Sequence, residues 1–147
     1  MKKLGLIAIV FVLVVACSQE PKTPHHHGAW KMVQTQRIQG DSVQIRYPVT
    51  WQGEQIKMWS ENYWMLVGKA TSTTPETDIY GGGTYKLEGK EYTEYIEYLT
   101  SNQYVGKVND GLTLYVKDDT LFQTYHPVDT LGNLRKDITY LEKYVRH

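Results

Sequence analysis

One cysteine in 147 residues leaves no partner for an internal disulfide and no set of thiolates for a structural zinc site. Phenylalanine is nearly missing, with two residues against twelve tyrosines and four tryptophans. Any core or pocket built from this chain is therefore aromatic with polar handles. A membrane-crossing helix needs about 20 apolar residues in a row; the apolar run from Leu4 to Val15 has 12. Neither sign of charge dominates, since sixteen basic residues balance sixteen acidic ones. No basic patch or arginine run is present, so nucleic acid is not an indicated partner. No window carries the three-to-four-residue apolar spacing of an amphipathic helix. No serine sits in a Gly-X-Ser-X-Gly turn. Beyond His25-His26-His27 the histidines are His126 and His147, without the spaced partners of a metal centre. Glu94 and Glu97 lie three apart on a strand and so on opposite faces, which defeats the paired-carboxylate geometry of a glycosidase. The pattern indicates no enzyme and no cofactor.

What the chain does have is alternation. Tyr80 to Tyr98 reads as two short runs with period two, joined at Glu88-Gly89-Lys90. Side chains of equal parity share a sheet face. Tyr85 and Leu87 share one parity of the first run; Tyr92, Glu94, Ile96 and Tyr98 share one of the second. Gly89 supplies a positive φ at the bend. Gly81-Gly82-Gly83 lacks the Gly-Lys-Ser/Thr ending of a phosphate loop and marks a bulge or close backbone approach. Further strands are expected over Trp30 to Gln36, Val43 to Tyr47, Gln55 to Ser60, Tyr63 to Lys69, Leu112 to Lys117, Thr120 to Tyr125 and Asp137 to Arg146. Ala70 to Asp78 and Pro127 to Asn133 are expected loops. About eight to ten antiparallel strands in chain order most simply close as an all-β up-and-down barrel, which removes exposed edges. A two-sheet sandwich is the alternative.

The N-terminus is organised differently. Lys2 and Lys3 precede the apolar run, which has the length of a signal-peptide core. Its end, Val14-Val15-Ala16-Cys17, resembles a bacterial lipobox, with the single cysteine at the required place. The resemblance implies cleavage before Cys17 and lipid on its sulfur and amino group. Several acyl chains anchor firmly where one alone is marginal. The expected division is a lipoprotein signal peptide at 1–16, a lipid-anchored polar tether at 17–27 and the barrel at 28–147. Lipoproteins with serine after the cysteine, as Ser18 is here, generally pass to the outer membrane, so the expected location is the bacterial envelope, outer membrane included. Without Lys2 and Lys3 the mature charge is −2. His25-His26-His27 is expected to be solvated linker.

Gly28-Ala29-Trp30 resembles the Gly-X-Trp signature that opens the first strand of lipocalins. In that family a late arginine crosses the tryptophan ring, and Arg146 is the matching residue. Such a contact contributes roughly 0.5–2 kcal/mol. Tyr80-Gly81-Gly82-Gly83-Thr84-Tyr85, Tyr92 to Tyr98 and Asp119-Thr120-Leu121 resemble a group of small lipocalin-like bacterial lipoproteins, a domain-of-unknown-function family. Tyr144 stands where that group usually has tryptophan. The resemblance implies a ligand-binding barrel without an assigned ligand.

If the Tyr92 parity points inward, Glu94 lies among Tyr92, Ile96, Tyr98 and, from the facing strand, Tyr85. A buried carboxylate must be paired, hydrogen-bonded or protonated. Tyrosine hydroxyls, Arg37 or Arg135 are the expected partners. The functional reading is that Glu94 holds a polar group of a small hydrophobic or amphiphilic ligand; the structural one is that it ties the wall together. Trp30 and Met32 are expected core. A second function class is an envelope accessory that binds a protein or glycan through exposed Trp51, Trp59 and Tyr95.

Overall fold

The structure, a computed structural model, describes residues 25–71 and 75–147; Cys17, the segment 1–16 expected to be a signal peptide and most of the expected tether lie outside the described residues. Nine strands form one antiparallel sheet: β1 (Gly28–Gln39), β2 (Ser42–Tyr47), β3 (Gly53–Trp59), β4 (Tyr63–Ala70), β5 (Thr77–Glu88), β6 (Glu91–Leu99), β7 (Val108–Lys117), β8 (Thr120–Tyr125) and β9 (Thr139–Arg146). Strands β3 to β9 pair consecutively, β3 also pairs with β1, and β9 closes onto β1. The result is an eight-stranded barrel. The ninth strand, β2, lies outside the ring. β1 is long enough to pair with β3 through Gly28 to Lys31 and with β2 through Thr35 to Gln39. The barrel is compatible with a lipocalin-like fold. A single 3-10 turn, Asn102–Tyr104, precedes β7.

Alternation decides which side chains fill the barrel. Trp30, Met32, Trp59, Trp64, Tyr92, Leu112, Leu114, Leu121 and Tyr144 form one buried cluster. A single layer of large aromatic and aliphatic side chains fills an eight-stranded ring. The expected loop at Ala70 to Asp78 is shorter than its composition indicates. β4 runs to Ala70 and β5 begins at Thr77, because Ala70 pairs with Thr77 and Lys69 with Asp78. The last strand starts at Thr139 rather than Asp137, whose carboxylate is tied to Arg135 at the surface.

The three glycines lie inside β5 where strands approach closely. A Cβ on Gly83 would overlap the Tyr95 carbonyl oxygen, and one on Gly81 would stand 2.7 Å from Leu99 Cδ1. The ladder slips here: Gly83 pairs with Ile96 but Gly82 with Tyr98, leaving Glu97 as the extra residue of a bulge. That extra residue reverses the parity beyond it. Tyr98 was expected on the inward face with Tyr92; it points outward and is 66 % exposed. Leu99, opposite Gly81, takes the inward place.

Candidate functional site

One end of the barrel is closed. Trp30 is fully buried there, and the Arg146 guanidinium lies 4.0 Å from its ring centre. The same guanidinium donates to the carbonyls of His25 and His27. Trp30 Nε1 donates to the His26 carbonyl at 2.8 Å. The Tyr85 hydroxyl donates to the Ser60 carbonyl at 2.6 Å, which leaves its oxygen to accept from His26 Nε2 at 2.9 Å and His27 Nε2 at 3.2 Å. His26 and His27 are therefore packed on the barrel end, not solvated linker. These contacts form only as the barrel closes, which composition could not show. Burial, then the neighbouring His27 and Arg146, lower the His26 pKa to about 4.

Above this floor sits a charged layer. Lys57 on β3 points inward, with 3 % of its surface exposed. Its ammonium donates to Glu94 Oε1 and, at 3.0 Å, to Gln123 Oε1. The rings of Trp64, Trp59 and Tyr92 surround Nζ at 4.7, 5.2 and 5.8 Å. The partner of Glu94 is thus Lys57. Arg135 is exposed and binds Asp137, and Arg37 donates to Gln39 at 2.6 Å. Sequence reasoning missed Lys57 because β3 and β6 are not neighbours in the sheet. A signal existed: Lys57 alternates in phase with Trp59 and so shares its face. The aromatic cage extends to Tyr92, whose hydroxyl accepts from Trp59 Nε1 at 2.9 Å. Burial, and then the Glu94 charge, push the Tyr92 hydroxyl far above its ordinary value. Trp64 Nε1 is buried and has no hydrogen-bond partner among the described residues.

A second carboxylate enters from β9. Tyr144 hydroxyl donates to Glu142 Oε2 at 2.7 Å and accepts from Gln55 Nε2 at 3.2 Å. Burial raises the Glu142 carboxyl above the usual range; the Lys57 ammonium and the Tyr144 hydroxyl oppose this, and Glu94 adds to it. The interior layer therefore holds two carboxyl groups and one ammonium. Lys57 is committed to Glu94, while Glu142 accepts from the neutral Tyr144 hydroxyl. Toward the end opposite Trp30, inward-facing Gln55, Leu66, Ile96, Tyr125 and Glu142 are only part-buried. Tyr125 and Tyr140 stack there at 5.3 Å. The residues at this end are less deeply buried than those of the floor.

Of the residues singled out from sequence, Tyr85, Tyr92, Glu94 and Ile96 meet inside the barrel, and Tyr98 does not. Gly28, Trp30 and Arg146 come together at the closed end. Of the aromatics proposed for an outer binding surface, Trp59 is buried at 2 % exposure and Trp51 packs on Tyr47 at 4.9 Å; Tyr95 is exposed. No protein-family model, no curated protein and no solved structure matches this chain.

Proposed function

We propose that the protein is a lipid-anchored, non-catalytic barrel of the bacterial envelope, held through Cys17 at the outer membrane, that takes a small amphiphilic molecule at its less buried end. The finer kinship with small lipocalin-like bacterial lipoproteins belongs to the same reading. The observation that carries it is Glu142. It is an inward-facing, part-accessible carboxyl whose only hydrogen-bonding contact among those described is the neutral Tyr144 hydroxyl. Charge balance around Lys57 is complete without it. The ligand head group that suits this position is a cation or a strong hydrogen-bond donor, with its apolar part against Leu66, Ile96 and the Tyr125 ring. Glu94, by contrast, ties the wall to Lys57 and has no capacity left for a ligand's charge.

The test is a titration of the lipid-anchored protein in detergent with two fluorescent amphiphiles of equal chain length, one amine and one sulfonate. The amine is expected to bind about tenfold more tightly or better, and Glu142→Gln to erase the difference, since one uncompensated charge in a poorly solvated site contributes on the order of 1–3 kcal/mol. Equal affinities, or a preference unchanged by Glu142→Gln, refute the reading. Native mass spectrometry of the protein taken from a bacterial envelope identifies any resident molecule.

A further inference from the structure

The outer wall over β3 to β6 carries a feature that barrel closure does not require. Ala29, Met58, Met65, Gly82 and Tyr98 are successive cross-strand partners. The side chains of Ala29, Met58, Met65 and Tyr98 point outward. The five residues form one rung that crosses five strands, about 19 Å at the usual strand spacing. Gly82 has no side chain, so Met65 and Tyr98 stand on either side of a flat floor, 52 % and 66 % exposed. A trough of about 650 Å³ follows this rung, with Tyr63 on its rim. A smaller hollow of about 180 Å³ shares Met65, Gly82 and Tyr98 and continues toward Val67 and Tyr80. Among the described residues that line the larger trough, the one charged side chain is Glu97, the bulge residue.

The position of this face decides what covers it. Gly28 and Ser60, at the closed end, line the trough. The chain leaves the barrel at that same end, where Arg146 pins the carbonyls of His25 and His27. Seven residues lie between Cys17 and His25, and the eight Cα–Cα steps reach at most roughly 28 Å. Two barrel walls of this kind are convex and would meet along a line, well below the about 1,200 Å² of a stable protein interface. A fluid bilayer conforms to a convex wall. Exposed tyrosines and methionines fit the boundary between head groups and acyl chains, where an apolar body and a polar tip are both satisfied.

We infer that this wall is a membrane seat: the Met58–Met65–Gly82–Tyr98 face rests in the interfacial layer of the bilayer that holds the Cys17 lipid. The inference rests on the anchoring reading above. It sets the barrel axis along the membrane surface rather than leaving the domain free on its tether. The attraction is apolar, so it is insensitive to salt and needs no anionic lipid.

Single thiols report the seat, because a lipidated Cys17 leaves no other thiol in the chain. Met65→Cys and Tyr98→Cys place labels on the trough; Val43→Cys and Leu131→Cys place them on exposed sites elsewhere, 59 % and 85 % exposed in the parent residues. The mature protein is labelled, reconstituted in zwitterionic vesicles and challenged with lipid-borne and water-borne quenchers. The ratio of lipid-borne to water-borne quenching is expected to be at least about fivefold higher at 65 and 98 than at 43 and 131, as for side chains buried in the interfacial layer. Equal ratios at all four sites overturn the inference. So does disulfide cross-linking of 65 to 65 between copies, which would make the face a self-contact. The mass of the N-terminal peptide, measured first, separates the two readings. A peptide without lipid refutes the anchoring reading, and the same four variants, now carrying Cys17→Ser as well, are then labelled and offered free vesicles. Labels at 65 and 98 that still enter lipid retain the seat; labels that stay in water refute it as well.

Discussion

Replacing Lys57 by methionine removes the cation from a site where its side chain is 4 % and that of Glu94 6 % exposed. Glu94 then stays buried with no opposite charge. Breaking a buried pair from one side costs about 3–5 kcal/mol, because the remaining charge keeps its desolvation penalty and loses its compensation. That is a large share of the roughly 5–15 kcal/mol that hold a domain of this size folded. Gln123 also loses a donor, and the aromatic cage of Trp59, Trp64 and Tyr92 loses the ammonium at its centre. Glu94→Leu alone leaves Lys57 unpaired and is expected to cost a similar amount. The double variant removes both charges and puts apolar side chains among the same rings. It is expected to recover most of the loss, with a coupling energy of at least about 2 kcal/mol between the two changes. Urea unfolding followed by tryptophan fluorescence measures this, since Trp59 and Trp64 flank the ammonium. Additive losses, or single variants within about 0.5 kcal/mol of the parent, would refute the claim that one ion pair organises the interior.

Two further outcomes follow from the closed end and the bulge. His26 has a folded pKa of about 4 against an ordinary 6.5. The unfolded chain therefore binds more protons between those values, and stability is fully present above pH 6.5 and lost as pH falls toward 4. The separation has a ceiling of roughly 3 kcal/mol, which the half-exposed ring reduces to about 1 kcal/mol; His26→Gln is expected to flatten that part of the melting-temperature profile. At the bulge, Gly83→Ala drives a methyl into the Tyr95 carbonyl and is expected to cost more than about 3 kcal/mol by chemical denaturation. Gly89→Ala, in open space at φ +62, is expected to cost only about 1 kcal/mol. Equal losses at the two glycines would show that close approach at Gly83 is not what requires glycine there.

Much of the wall was legible along the chain. Period-two alternation marked the strands, Gly89 marked a hairpin bend, and the glycine triple marked a bulge or close approach. Each of these is a local property, set by how a residue fits its own backbone and its immediate neighbours. Even the polarity of Glu94 indicated that it needed a partner. The partner was not legible. Lys57 reaches Glu94 across the barrel, from a strand three places away in the ring, and only closure of β9 onto β1 brings those inward faces together. The same holds for Glu142 and Gln55, joined through Tyr144 across the β1 seam. Tyr98 shows the complementary limit. One extra residue at Glu97 turns an inward tyrosine into an outward one, and nothing in the alternation of Tyr92 to Tyr98 marks which residue the ladder leaves unpaired. His26 and His27 read as linker from their polar tract, while their neighbours in space, Trp30, Tyr85 and Arg146, come from β1, β5 and β9, far apart in the chain. The sequence by itself determined strands, turns and a buried face for most of them, since those depend on backbone geometry and period. The tertiary structure alone decided the charge pairing, the exposed trough and the sealed end, since those depend on which faces meet when the sheet closes.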